Sequence, residues 1–321
     1  MTNNTDIMEN KDLNIATNKD FDVIVYHRQC PDGILSQYCA WKYNNEIVQI
    51  GTGAGEDPIG DFENKRIVFI DVSPTNNFII TNITKVTSIT VLDHHKSASD
   101  NYIKFKELYD TFDNFNVIYD MDRSGCQMAW DYFFENETRP WFIDYVGDRD
   151  LWLWRLPNSK EICEVMHHNG WLYTDDISTI DKLLDIDPKD LISDGKLILS
   201  VKDKILENEI KGAKESVFII NNAEDPIKKS YRIWTGTTAY TFRSDYGNKL
   251  TERKFIDGTL PDFVVIYFYD PSDRIFYTSL RGGSESPDLS IISRLYGGGG
   301  HAKASGIQLD ADTFNNTIKF V

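Results

Sequence analysis

VLDHHKSASD, residues 91–100, ends an apolar run with an aspartate and two adjacent histidines. The chain has only six histidines, so two side by side behind an aspartate need a reason. Adjacent imidazoles make poor core residues. On a turn beyond a strand, Asp93, His94 and His95 form a donor set suited to a cation. The run before them, SITVL (88–92), is short and continuously apolar, which reads as a strand covered on both faces.

Similar strands lie to either side: FDVIVYH (21–27), IVQI (47–50), RIVFIDV (66–72) and NVIY (116–119). Between them, PDGILSQYCAWKYN carries apolar residues at helical spacing, and SGCQMAWDYFFE (124–135) reads as a helix opened by Ser124. Strands alternating with helices predict an α/β fold with a parallel sheet. From about 140 to 214 the pattern turns helical, and 187–216 reads as one long helix begun at Asp187-Pro188. Strands then return in SVFII, YRIWTG, DFVVIYFY and RIFYTSLR, before a helix (DLSIISRLY) runs into GGGGHAKASG. The expected layout is a polar, disordered leader over 1–20 and an α/β catalytic domain over 21–186. A helical connector over 187–215 then leads to a smaller mixed α+β domain over 216–321.

Composition bounds the function. At 321 residues and 41% hydrophobic content the chain can bury two cores, and no apolar run reaches membrane-spanning length. A net charge of −16 repels long duplex nucleic acid but admits a short anionic substrate carried by metal cations. Cys30, Cys39, Cys126 and Cys163 form no Cys-x-x-Cys pair. That argues against disulfides and structural zinc, and for a reducing, cytoplasmic setting.

In an open parallel sheet, ligands bind beyond the carboxyl ends of the strands. The first strand ends in His27, with Asp32 in the loop beyond; the third ends in Asp71; the fourth ends in Asp93, His94 and His95. A later segment, YVGDRDLW, adds Asp148 and Asp150. Each taken alone is more simply a turn former, a cap or a solvated charge. As a set in order they point to metal. Imidazole with carboxylate suits Mn²⁺, with Mg²⁺, Co²⁺ or Fe²⁺ as alternatives. Converging carboxylates would repel one another, and a cation removes that cost. Two cations about 3.5–4 Å apart are a standard clamp for phosphoester cleavage.

A second cluster is GGGGHAKASG, Gly297 to Gly306. Consecutive glycines there, with Gly298, Gly299 and Gly300 at the centre, would leave backbone N–H groups to face an anion, with His301 and Lys303 adding donors. Arg281, at the end of RIFYTSLR, could grip a phosphate in two-point fashion. His167 and His168 read as ordinary residues of a helix C-terminal turn.

Taken in order, YHRQCPDG, IDVSP, VLDHH, YVGDRDLW and YGGGGHAKASG resemble the successive motifs of the DHH phosphoesterases, the last resembling their associated C-terminal substrate-binding domain. The resemblance spans residues 21–309. It implies one or two divalent ions, with His27 on the first metal, Asp32 on the second, Asp71 bridging both and His94 completing the second site. It further implies that Asp93 orients the metal histidine, that His95 lies near the substrate phosphate, and that Asp148 is the last ligand with Asp150 its rival. Arg281, Gly298, Gly299, Gly300 and His301 would hold the nucleotide. One departure stands out. The family's first motif carries aspartates four and six residues after its histidine. Here Cys30 and Asp32 follow His27 in a loop one residue shorter. Whether Cys30 ligates or packs as a thiol stays open.

The expected activity is metal-dependent hydrolysis of short oligonucleotides or of linear or cyclic dinucleotides by a metal-activated water. Tyr277 and Tyr296 are candidates for stacking a base. The alternatives are a phosphatase for adenosine bisphosphate or a similar ester, and a catalytically silent nucleotide-binding relative. Pairing of two copies through the first domain is left open.

Overall fold

The computed structural model describes residues 19–174, 176–220 and 230–321. The expected leader therefore lies outside the described residues, apart from Lys19 and Asp20. The chain builds β1 (Val23–His27), α1 (Pro31–Tyr43), β2 (Val48–Thr52), β3 (Arg66–Ile70), α2 (Asn76–Asn82) and β4 (Ser88–Asp93). There follow α3 (Lys96–Lys104), α4 (Lys106–Tyr109), β5 (Phe115–Tyr119), α5 (Gly125–Phe133), α6 (Trp141–Asp150) and α7 (Ser159–His168).

The five strands form one parallel sheet in the order β2-β1-β3-β4-β5. Their continuous apolarity is explained by cores on both faces. Ile24, Val68 and Ile70 point to one, packed with Leu35, Tyr38 and Phe142 from α1 and α6. Val23, Val25, Ile67 and Phe69 point to the other, under Phe78 and Ile79 of α2. Each fully buried large side chain contributes about 1.5–3 kcal/mol of burial free energy. From β1 the chain moves outward to β2, whereas from β3 it moves the opposite way to β4. The crevice beyond the ends of β1 and β3 is therefore the switch point of the sheet, where such folds take ligands.

The connector is helical, but it opens differently from the sequence pattern. Asp187 accepts a hydrogen bond from the Lys189 amide at 2.9 Å and caps a short 3-10 turn, Pro188–Leu191, which runs on into α8 (Ile192–Lys211). On α8, Lys202 is buried and paired with Glu164 of α7 at 2.7 Å and with Asp245 at 2.6 Å.

Beyond it lie β6 (Lys214–Ile219), β7 (Ser230–Gly236), α9 (Arg243–Thr251), β8 (Phe263–Asp270), β9 (Ile275–Arg281) and α10 (Leu289–Arg294). The chain closes with β10 (Gly299–Gly300), β11 (Ala304–Asp310), α11 (Ala311–Thr317) and β12 (Ile318–Phe320). Their sheet runs β10-β11-β9-β8-β7-β6-β12, antiparallel except for β7 against β8. Its core holds Phe218, Phe263, Leu280 and Phe314. Among the described residues no helix is long and apolar enough to cross a membrane.

Candidate metal centre

Three local devices bring the strand-end residues together. The first is α1. Pro31 sits in its first turn, where a missing N–H costs nothing. Gly33 lets the helix press on the end of β1: a Cβ there would lie 1.9 Å from the His27 carbonyl oxygen. Asp32, the residue before Gly33, is fully buried. The second is α5. Its first amides, Gly125 and Cys126, donate to the Asp32 carboxylate at 2.6 and 3.0 Å, as a helix N-terminus does for an anion. The third is Asp71, just beyond β3, whose φ of 60° lies in the left-handed region. Such a backbone costs about 1–3 kcal/mol and persists where surrounding structure imposes it. Here Gly125 packs against it, since a Cβ on Gly125 would come within 2.4 Å of the Asp71 Cβ.

Asp71 is the hub. Its Oδ1 lies 3.0 Å from His94 Nε2 and its Oδ2 lies 3.5 Å from His27 Nδ1. His94 Nε2 also faces Asp32 Oδ2 and Asp150 Oδ2, each at 3.5 Å. Among the described residues four donor triads result: His27 with Cys30 and Asp71, Asp32 with Asp71 and His94, Asp71 with Asp93 and His95, and His94 with His95 and His301. Within each, the ligand atoms lie no more than 4.8 Å apart. Asp71 belongs to the first three.

Burial, with Asp71 and Asp150 close by, pushes the Asp32 carboxyl up to about 7. Burial also raises Asp150, against the pull of His94. Burial opposes the charge on Asp71 too, but His27 and His94 hold it well below the usual carboxylate range. Despite burial, Asp71, Asp150 and Asp32 raise the His94 imidazole to about 10. Burial and the same three carboxylates push the Cys30 thiol well above its ordinary value. The donor set fits a divalent cation on one further observation. His27 Nδ1 and Asp71 Oδ2 are buried and face each other, and among the described residues neither has a hydrogen-bond partner. Polar atoms so placed are costly unless something binds them.

The paired candidates Asp148 and Asp150 separate cleanly. Asp150 ends α6 beside His94, whereas Asp148 turns away and accepts the amides of Arg155 and Leu156 at 2.8 and 3.2 Å. The structure therefore brings Asp150, and not Asp148, into the cluster. Asp93 is expected to orient the metal histidine; its carboxylate instead holds the ring of the next one. Its Oδ1 lies 2.7 Å from His95 Nδ1 and accepts the amides of His94 and His95, while its Oδ2 accepts Ser73 Oγ at 2.6 Å.

From the second domain, His301 stacks on His95 with centroids 4.7 Å apart and planes 19° from parallel. Burial, with His95 and His94 beside it, lowers His301 to about 3. The glycine run departs from the expected open amide nest. The amides of Gly297, Gly298 and His301 donate to Arg294, Ser293 and Ala304 carbonyls, and that of Gly300 donates to Ser97 Oγ at 3.1 Å. The glycines are instead needed for a tight hairpin, because a Cβ on Gly298 would lie 2.0 Å from the Gly306 oxygen. Lys303 is engaged with the Ser284 and Ser286 carbonyls. Arg281 bonds the Leu280 carbonyl and Ser244 Oγ, and among the described residues it has no carboxylate within ion-pair reach. Burial and then Arg243 lower it to about 10.

The remaining candidates lie elsewhere. Tyr277 bonds Asp273, Tyr296 bonds the Ile219 carbonyl, and His167 bonds Tyr173 at the end of α7. Sequence reasoning missed Ser73, Ser97 and the α5 amides. The only signal for the amides is the Ser124-x-x-Gln127 capping box that opens α5.

No protein-family model matches the chain. An uncharacterized protein of Acanthamoeba polyphaga mimivirus is 28% identical over 316 residues, covering 92% of this chain and 69% of the relative. Among solved structures, a pGpG-specific phosphodiesterase from Vibrio cholerae is 10% identical, with 92% and 96% of the two chains covered and a TM-score of 0.40. RecJ from Thermus thermophilus in complex with Mg²⁺ is 10% identical, covers 92% of this chain and 48% of its own, and has a TM-score of 0.38. At these scores the structural likenesses carry no functional assignment.

Proposed function

We propose that this chain is a divalent-metal-dependent phosphoesterase of the DHH type that hydrolyses short oligonucleotides or linear or cyclic dinucleotides. The observation that carries the reading is that the Asp71 carboxylate joins the triad with His27 and Cys30 to the triad with Asp32 and His94, with buried atoms of His27 and Asp71 that face each other and have no hydrogen-bond partner among the described residues. His27, Cys30 and Asp71 would hold one ion, and Asp32, Asp71 and His94 the other, with Asp150 at the edge of the second. Divalent ions bound there would neutralise phosphoryl oxygens and lower the pKa of a water.

The remaining roles fall to the chain itself. Asp93 takes the Nδ1 side of His95, which fixes the ring and leaves Nε2 for a phosphate oxygen. His301, stacked on that ring, brings a second imidazole to the same phosphate from the other domain. Arg281, with no acidic partner of its own among the described residues, grips a more distant phosphate. With donors on both domains, both ends of a substrate must fit one cleft, which favours short molecules. The net charge of −16 acts in the same direction by disfavouring a long polyanion.

The test is manganese-dependent release of p-nitrophenol from bis(p-nitrophenyl) phosphate, followed by a panel of short RNAs, a cyclic dinucleotide and adenosine 3′,5′-bisphosphate. Turnover of the diesters with little on the bisphosphate is expected. Preferred hydrolysis of the bisphosphate would make the protein a nucleotide phosphatase. Binding without turnover under any metal would make it a silent relative.

A further inference from the structure

The residues directly after the Asp-His-His motif face the second domain. Lys96 opens α3, and its Nζ lies 2.8 Å from Asp100 and 3.2 Å from Asp288, the residue that caps α10. Asp100, one turn further along α3, also receives Arg294 of α10 at 2.7 Å. Between these pairs, Ser97 Oγ accepts the amide of Gly300, the residue before His301. Gly299 comes equally close, for a Cβ on it would meet Ser97 Oγ at 3.1 Å. Two cations and two carboxylates thus alternate across the domain boundary, with a hydrogen bond at their centre.

We infer that α3 docks the second domain over the metal cluster, with Lys96, Ser97 and Asp100 acting as positioning residues that hold His301 against His95. The side chains of the quartet are 25–39% exposed, and partly exposed pairs of this kind are individually weak. Their combined effect is therefore a reversible closure rather than a permanent weld. Such a latch acts on affinity: if only the closed form is competent to bind, the apparent constant worsens in proportion to the fraction that is open. His95 and α3 are consecutive in the chain, so movement of the phosphate-facing ring and release of the latch are mechanically joined. As an account of catalysis this rests on the proposed phosphoesterase reading; as an account of docking it does not.

A double-mutant cycle on the full chain tests it, with Asp100→Asn, Arg294→Gln and both together. Each single change is expected to raise KM for a short RNA by about threefold, with kcat within about twofold of wild type. The double variant should then match the singles rather than show the product of their effects. In the same proteins without substrate, hydrogen exchange of the segment holding Gly300 should accelerate in each single variant and no further in the double. Ser97→Ala, which removes no charge, should accelerate the same exchange. Wild-type KM and exchange in the singles, or strictly multiplicative effects in the double, would overturn the latch. Coupled exchange without phosphoester turnover by the wild-type protein would leave the docking role standing and remove the functional reading instead.

Discussion

Asp148 and Asp150 are two residues apart on α6, and an α-helix turns about 200° over that interval. Only one of them can face His94, and it is Asp150. Exchanging each carboxylate in turn should separate two properties. Asp150→Asn is expected to weaken manganese binding at least tenfold, measured by calorimetry, with little change in the urea midpoint. Asp148→Ala should leave metal binding near normal but cost about 1.5–3 kcal/mol, because it strips a charged acceptor from two backbone amides. The motif comparison favoured Asp148, because spacing along a sequence does not reveal which side of a helix end points inward. By contrast, the placement of His27, Asp71 and His94 was legible, since a strand end fixes its own direction. The hub role of Asp71 predicts that Asp71→Asn loses more turnover than the 10- to 100-fold or so expected of Asp93→Asn, an outer partner.

At the scale of elements, the N-terminus of α5 and its glycine are what the sequence hid. A helix opened by Ser124 was legible, but not that its first amides would cradle Asp32 from far along the chain. Gly125→Ala would drive a methyl into Asp71 and should abolish tight manganese binding while the far-ultraviolet dichroism stays native. Further along α5, Asp131 lies between Arg139 and Arg123 at 2.5 and 2.8 Å. Burial opposes its charge, but the two guanidiniums hold its carboxyl below the ordinary value. A carboxylate so depressed stabilises the fold above its unfolded-state value near 3.8 and loses that contribution as pH falls through its lower folded value. Asp131→Asn should therefore be less stable at neutral pH, and its stability should fall less steeply below about pH 4, as read from urea midpoints across the acid range. The buried Lys202 joins α7, α8 and α9 through Glu164 and Asp245. Lys202→Met should cost about 3–5 kcal/mol, because it strands the buried Glu164 carboxylate and removes the partner of the partly exposed Asp245.

The whole molecule divides its labour. The first domain carries every donor to the proposed ions, while the second contributes His301, Arg281 and the surface that α3 engages. The order of the first five strands was readable because burial on both sheet faces writes a continuous apolar signature. The closing contacts between domains were not, because ion pairs among partly exposed residues leave no periodic trace in a sequence. Translation proceeds from the N-terminus, so His27, Asp32, Asp71, His94 and Asp150 all leave the ribosome well before His301. A nascent polypeptide halted before α8 would carry all five of these side chains but not the imidazole of His301. On the proposed reading, metal uptake would precede enzymatic competence during biosynthesis, and prematurely terminated products would hold ions without acting on nucleotides.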